Sequence, residues 1–156
     1  MDLSNNNIDL PFDFTKLKYQ RVPDLQFDIS KPSLLGEMYN DNMDKGKHDL
    51  RHLNVDELDN FAWCFYVLRP GAWVPPHKDH FSNYMKYYNV EDRSLIMRKL
   101  VFLEPWKSGH VFGIDNEISL GWKANQSITW SSETSHWGGN FGTEPRYTLQ
   151  ITGVKK

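Results

Sequence analysis

The apolar positions of this chain fall into two regimes. Up to about residue 60 they are scattered among Asn and Asp and interrupted by Pro11, Pro23 and Pro32, so any strands there are expected to be short. One helix is predicted after Ser30, where Pro32 sits near the first turn and Leu34, Leu35, Met38 and Tyr39 recur at helical spacing before Gly46. A weaker helical segment is predicted from Asn54 through Leu58. From Trp63 onward the pattern changes to short β-like runs over 63–69, 97–103, 110–114, 127–131 and 146–154. Pro70 and Gly71, Pro105, the stretch 113–116 and the stretch 138–142 break them apart. The expectation is an all-β barrel or sandwich. The segment 81–96 is different in kind: it is polar, carries Tyr84, Tyr87 and Tyr88, and is expected to be a loop bordering a pocket.

Composition narrows the class of partner. At 156 residues without an internal repeat or a low-complexity linker, one domain is expected over 1–156, with 1–60 supporting a barrel core over 63–154. Lysine and arginine number 18 against 20 acidic residues, and a net charge of -2 gives no electrostatic reason to expect nucleic acid. No apolar run approaches a membrane span, and the polar start of the chain leads us to expect a soluble, cytoplasmic protein without a membrane partner. The lone Cys64 lies within an apolar run and reads as a small buried side chain rather than a nucleophile. Aromatic residues at 14% of the chain, with six tryptophans, fit a β-rich fold better than a helical bundle.

The chemistry centres on His77 and Asp79. Side chains at i and i+2 of an extended segment share a face, so the pair can reach one ion. A second imidazole would complete a two-histidine, one-carboxylate face with open positions, the arrangement that suits non-haem iron. The pair alone is weak evidence, because about one histidine in eight has an acid two places on by chance in such a composition. It gains weight from His136 and from Arg146, ten residues later at the head of a β run. Were the chain to turn through 138–142 and return antiparallel, Arg146 would end beside the metal. Its planar fork suits a carboxylate, and Thr148 shares its face and could add a hydroxyl. Taken without the histidines, Arg146 reads as a surface salt bridge.

These residues carry a family resemblance. The run Phe65, Tyr66, Val67, Leu68, Arg69, Pro70, Gly71, Ala72, Trp73, Val74, Pro75, Pro76, His77, together with Gly121, Trp122, His136, Asn140 and Arg146, resembles the Fe(II)- and 2-oxoglutarate-dependent oxygenases, within them the aspartyl/asparaginyl β-hydroxylase-like branch. The resemblance spans 63–153 and implies a mainly β double-stranded β-helix, the jelly-roll barrel also used by cupins, with one or two helices from the N-terminal third packed outside. It implies a dioxygenase using Fe(II), 2-oxoglutarate and O2, in which His77, Asp79 and His136 hold the metal. Arg146, with Thr148, is then the co-substrate's anchor, while Tyr66 falls where the branch places a hydroxyl for the distal carboxylate, unless it is a core tyrosine. Arg98 and Lys99 open the strand that carries basic residues for the proximal carboxylate, and alternation lets only one of them face inward. The substrate implied is an amino acid, a peptide or protein side chain, or another small molecule. Asp79 is present here, although some animal members of the branch lack that carboxylate.

Other residues have simpler readings. His80 should face away from His77, His48 and His52 read as surface residues, and His110 is a spare ligand should one of the three fail. Trp106, Trp122, Trp130 and Trp137 read as core or rim packing, Trp137 with the added prospect of lining a pocket. Two rival uses of the same barrel are a cupin-like metalloenzyme that needs no keto-acid and a non-catalytic jelly-roll binding module.

Overall fold

The structure, a computed structural model, describes residues 4–5, 19–20, 36–39 and 55–156. Among these residues the strands run β1 (Ser4–Asn5), β2 (Tyr19–Gln20), β3 (Glu37–Tyr39), β4 (Leu58–Leu68), β5 (Trp73–His77), β6 (Ile96–Phe102), β7 (His110–Ile114), β8 (Glu117–Ser119), β9 (Gln126–Ser131), β10 (His136–Asn140) and β11 (Arg146–Lys155). One short helix, α1 (Ser82–Tyr88), and a 3-10 turn over Arg93–Leu95 lie between β5 and β6. The larger sheet has the order β1-β9-β6-β11-β4-β3-β2 and the smaller β5-β10-β7-β8. The pairings are antiparallel, and the two sheets form the mainly β double-stranded β-helix expected of the chain.

The larger sheet is apolar on both faces. Phe65, Val101, Leu149 and Ile151 cluster on one face with Val55 and Leu58. On the other, Leu100 and Phe102 pack against Phe112, Trp122, Ile128 and Trp130, with the Phe102 and Trp122 rings stacked at 4.0 Å. Two-sided burial explains why Phe65, Tyr66, Val67 and Leu68 are all buried in succession, where a half-solvated strand would alternate. Truncating Phe102, which is fully buried, is expected to cost about 3–5 kcal/mol.

Several elements depart from the sequence expectation. Met38 and Tyr39 lie in β3, where Met38 pairs with Tyr66 and Tyr39 with Phe65, and not in a helix. An uncovered edge of β4 offers backbone partners that outweigh a weak helical propensity. The rest of that predicted helix lies outside the described residues. The described part of the second helical segment is a turn at Val55 leading into β4. The helix appears instead as α1, in the stretch expected to be a loop. It buries none of its residues, so no apolar stripe announced it. Tyr84 and Tyr88 fasten it by donating hydroxyl hydrogen bonds to the carbonyls of Asn60 and Phe61, at 2.7 and 3.2 Å.

β5 and β10 were hidden by their residue types. Pro75 and Pro76 cannot donate to a ladder, and β5 is tolerated because it is the edge of the smaller sheet. Gly138 and Gly139 look like turn residues but lie inside β10. The expected turn over 138–142, with a direct return from His136 to Arg146, is therefore corrected. β10 pairs with β5 and β7, and β11 belongs to the opposite sheet.

Candidate metal centre

His77 ends β5 and His136 opens β10, and the two are direct cross-strand partners with ring centroids 4.3 Å apart. A register shift follows His136 in β10, a local bulge of the kind that re-aims side chains beside functional sites. Asp79, two residues beyond the end of β5, completes the group. Its Oδ1 lies 3.6 Å from His77 Nε2 and its Oδ2 3.7 Å from His136 Nε2. One ligand atom from each of the three residues lies within 4.8 Å of the others.

The donor set fits a divalent ion. His77 Nδ1 donates to the Pro75 carbonyl at 2.9 Å, which places a proton on Nδ1 and turns Nε2 toward the cluster. Burial works against charge on this ring, but Asp79 and the Pro75 carbonyl outweigh it and push the His77 pKa up. Burial pushes the His136 pKa down to about 4, with His77 and Arg98 adding to the shift and Asp79 opposing it, so this ring is neutral near pH 7. For Asp79, burial favours the acid form, but Arg98 and the two histidines outweigh it and hold the carboxyl well below its usual range. Ligation takes two neutral imidazoles and one carboxylate, so binding an ion would release any proton held on His77 Nε2.

The larger sheet supplies the opposite wall. Arg146, at the start of β11, is buried, and its Nη1 donates to the Val111 carbonyl while its Nε has no hydrogen-bond partner. Burial draws its pKa down to about 10, partly opposed by Tyr66. It is not the surface salt bridge that the residue alone would imply, since it is buried and its guanidinium meets a backbone carbonyl. A Cβ on Gly138 would stand 2.9 Å from Arg146 Nη2, so the absence of a side chain in β10 is what admits the guanidinium. Tyr66, His77, Asp79, Arg98, His136 and Arg146 line one pocket.

Alternation sorts the remaining residues. Arg98 faces this pocket, whereas Lys99 points to the other face of β6, where its Nζ meets Glu57 at 3.4 Å, so the expectation that Lys99 could serve the co-substrate is corrected. Thr148 is fully buried and its hydroxyl donates to the Tyr66 carbonyl at 3.4 Å, outside the pocket lining. His110 is buried against Trp122 with Nε2 on the Glu144 carbonyl at 3.0 Å, a packing residue distant from the triad, and His80 is exposed. His48 and His52 lie outside the described residues.

Gln150 and Trp130 are pocket residues that the sequence reading did not assign to the site. Gln150 stands four positions after Arg146 on one strand face, a spacing that could have revealed it. Trp130, its ring 4.8 Å from His136, is a core residue and a pocket wall at once, which no local pattern separates. The segment 81–96 touches the site through Phe81, whose ring centroid is 4.9 Å from Arg98 Cζ.

No family model and no curated protein matches this sequence. Solved structures do. A protein described as a sugar phosphate isomerase of the cupin superfamily from Silicibacter pomeroyi superposes with a TM-score of 0.57 at 11% identity, covering 94% of this chain and 76% of its own. A protein from Thermotoga maritima described as a predicted oxalate decarboxylase gives 0.53 at 14% identity, covering 93% and 99%. The chain therefore has the cupin-like double-stranded β-helix fold, with a His/Asp cluster suited to a metal.

Proposed function

We propose that this protein is a cupin-fold metalloenzyme and, more finely, an Fe(II)- and 2-oxoglutarate-dependent dioxygenase that hydroxylates an unactivated C–H bond of an amino acid, a protein side chain or another small molecule. The observation that carries the finer reading is Arg146, a buried guanidinium with an unpartnered Nε in the same pocket as an open three-ligand face. A buried cation without an anion is costly, and a bound carboxylate relieves that cost.

Iron, 2-oxoglutarate and O2 together supply the oxidising chemistry, which yields the hydroxylated product, succinate and carbon dioxide. The chain's own part is positional. His77, Asp79 and His136 would hold the ion from one side, and Arg146 would take the distal carboxylate of the co-substrate through its planar fork. Tyr66 lies on the same wall and would add a hydroxyl. Val74, Leu100, Phe112 and Trp130 line the space between and limit water near the reacting atoms.

The likeness to structures described as an isomerase and a decarboxylase favours a second reading, a cupin-type metalloenzyme that needs no keto-acid. Anaerobic addition of Fe(II) followed by 2-oxoglutarate separates the two. A visible metal-to-ligand band, and succinate formation once air and a panel of amino acids and peptides are added, is the expected result. Iron binding without either signal would transfer the case to the second reading, and no metal binding at all would leave a binding module.

A further inference from the structure

We infer that Arg98 is a positioning residue for the metal: by holding one oxygen of Asp79, it keeps that carboxylate a one-oxygen ligand and preserves the number of open coordination positions. The inference rests on the metal assignment made above, not on the identity of the co-substrate.

A guanidinium meeting a carboxylate usually spreads two N–H groups over both oxygens. Arg98 does not. Its Nε and Nη2 converge on Oδ2 alone, at 3.1 and 2.8 Å. Oδ1 is left on the His77 side, 3.6 Å from Nε2, without an arginine contact. Arg98 is itself held in place: Nη1 donates to Gln150 Oε1 at 3.4 Å, and the Phe81 ring covers its guanidinium at 4.9 Å. Phe81 reaches that position with φ at 55°, a left-handed backbone that a bulky aromatic rarely adopts. With Phe81 on one side and Gln150 beyond, the guanidinium is not free to follow the carboxylate as it rotates.

The consequence concerns denticity. Carboxylates ligate metals through one oxygen or two. A second oxygen from Asp79 would occupy one of the positions that this ligand set otherwise leaves open. Outer partners of ligating carboxylates commonly set such orientation.

The test counts open positions directly. Parent, Arg98→Met and Arg98→Lys proteins are loaded with Mn(II) without co-substrate, and the relaxation of bulk water protons is measured at saturation. Met keeps the length and apolar stem while removing every donor, and Lys keeps the charge but cannot place two fixed donors on one oxygen. Both variants are expected to bind Mn(II) with relaxivity lower by about a third, as one of three water positions is lost to the second carboxylate oxygen. Parent-like relaxivity in either folded variant would overturn the inference, and so would loss of Mn(II) binding, which would make Arg98 a requirement for affinity and not for denticity. Circular dichroism establishes folding, and the Lys variant carries the test if Met does not fold. A parent that binds no Mn(II) sinks the metal assignment itself. Because no keto-acid is present, none of these outcomes depends on the co-substrate.

Discussion

The two walls of the pocket solve different problems with different means. The smaller sheet brings His77 and His136 together by backbone register, as cross-strand partners, so their approach is built into the ladder. The larger sheet presents Arg98 and Arg146 on long side chains whose head groups are placed by what surrounds them, Phe81 and Gln150 for one, Val111 and Gly138 for the other. A ladder tolerates little adjustment, whereas a long side chain follows its neighbours. On the proposed function, metal binding should therefore be lost outright by substituting the ligands, whereas what the larger sheet contributes, Arg98 toward Asp79 and Arg146 toward an anion, should be tunable by residues that never touch ligand.

The largest effect is expected from His136→Ala or Asp79→Ala. Substitutions of residues that merely orient ligands typically weaken metal affinity about 10–100-fold, so loss of a ligand itself should exceed about a hundredfold, as read by anaerobic Fe(II) titration. Next comes Arg146→Ala, which should weaken 2-oxoglutarate about a hundredfold while leaving Fe(II) affinity near the parent value, since it removes the charged partner of an enclosed carboxylate. Unchanged 2-oxoglutarate affinity there would remove the oxygenase reading and strengthen the keto-acid-free one.

Gly138→Ala sharpens the contrast. The added methyl would stand 2.9 Å from Arg146 Nη2, the far end of a flexible side chain, so the guanidinium should shift and the fold survive. Co-substrate affinity is expected to fall about tenfold, or roughly 1.4 kcal/mol, with the thermal midpoint little changed. A fall in metal affinity of the same size would show that the two walls are not separable. Lys99→Met is the matching control on the outer face of β6. Because its partner Glu57 is solvent-exposed, replacing this buried charge by an apolar side chain of similar length should leave the thermal midpoint unchanged or raised, and ligand affinity unaltered. The smallest signal concerns Cys64, whose pKa burial raises to about 11, with Asp79 adding to the shift and Arg98 opposing it. At pH 8 the thiol is protonated and enclosed, so an aromatic disulfide reagent should react slowly with native protein and fully in urea.

Much of this was legible in the chain itself, for identifiable reasons. Strands whose apolar residues face a core, such as β6, β7 and β11, were visible because hydrophobic runs report burial directly. His77 and Asp79 were visible because the i, i+2 spacing is local. What stayed hidden was either masked by residue type or settled by tertiary contact. β5 was left out of the strand runs and β10 read as a turn because proline and glycine usually end strands, and only the edge position of one and the buried arginine beneath the other explain them. α1 gave no periodic signal because it buries no residue. The pairing of Arg98 with Asp79 joins positions 19 apart in sequence and depends on α1 and the turns around it for its geometry, so no spacing rule announces it.

Asn140 carries a mechanical consequence. It is fully buried at the end of β10, its Nδ2 donates to the carbonyls of Leu68 and Glu144 at 2.7 and 2.8 Å, and its Oδ1 accepts from the Gly142 N–H at 3.0 Å. Its backbone N–H and carbonyl meet Ala72 and Gly71. Between its side chain and its backbone, this one residue thus rivets the strand of the second histidine to the end of β4, the approach to β5 and the approach to Arg146. Opening any one of these seams would strand buried polar groups in the others, so the two walls should breathe together or not at all. A ligand that steadies the metal side would then slow amide exchange along β11, a sheet away from the ion.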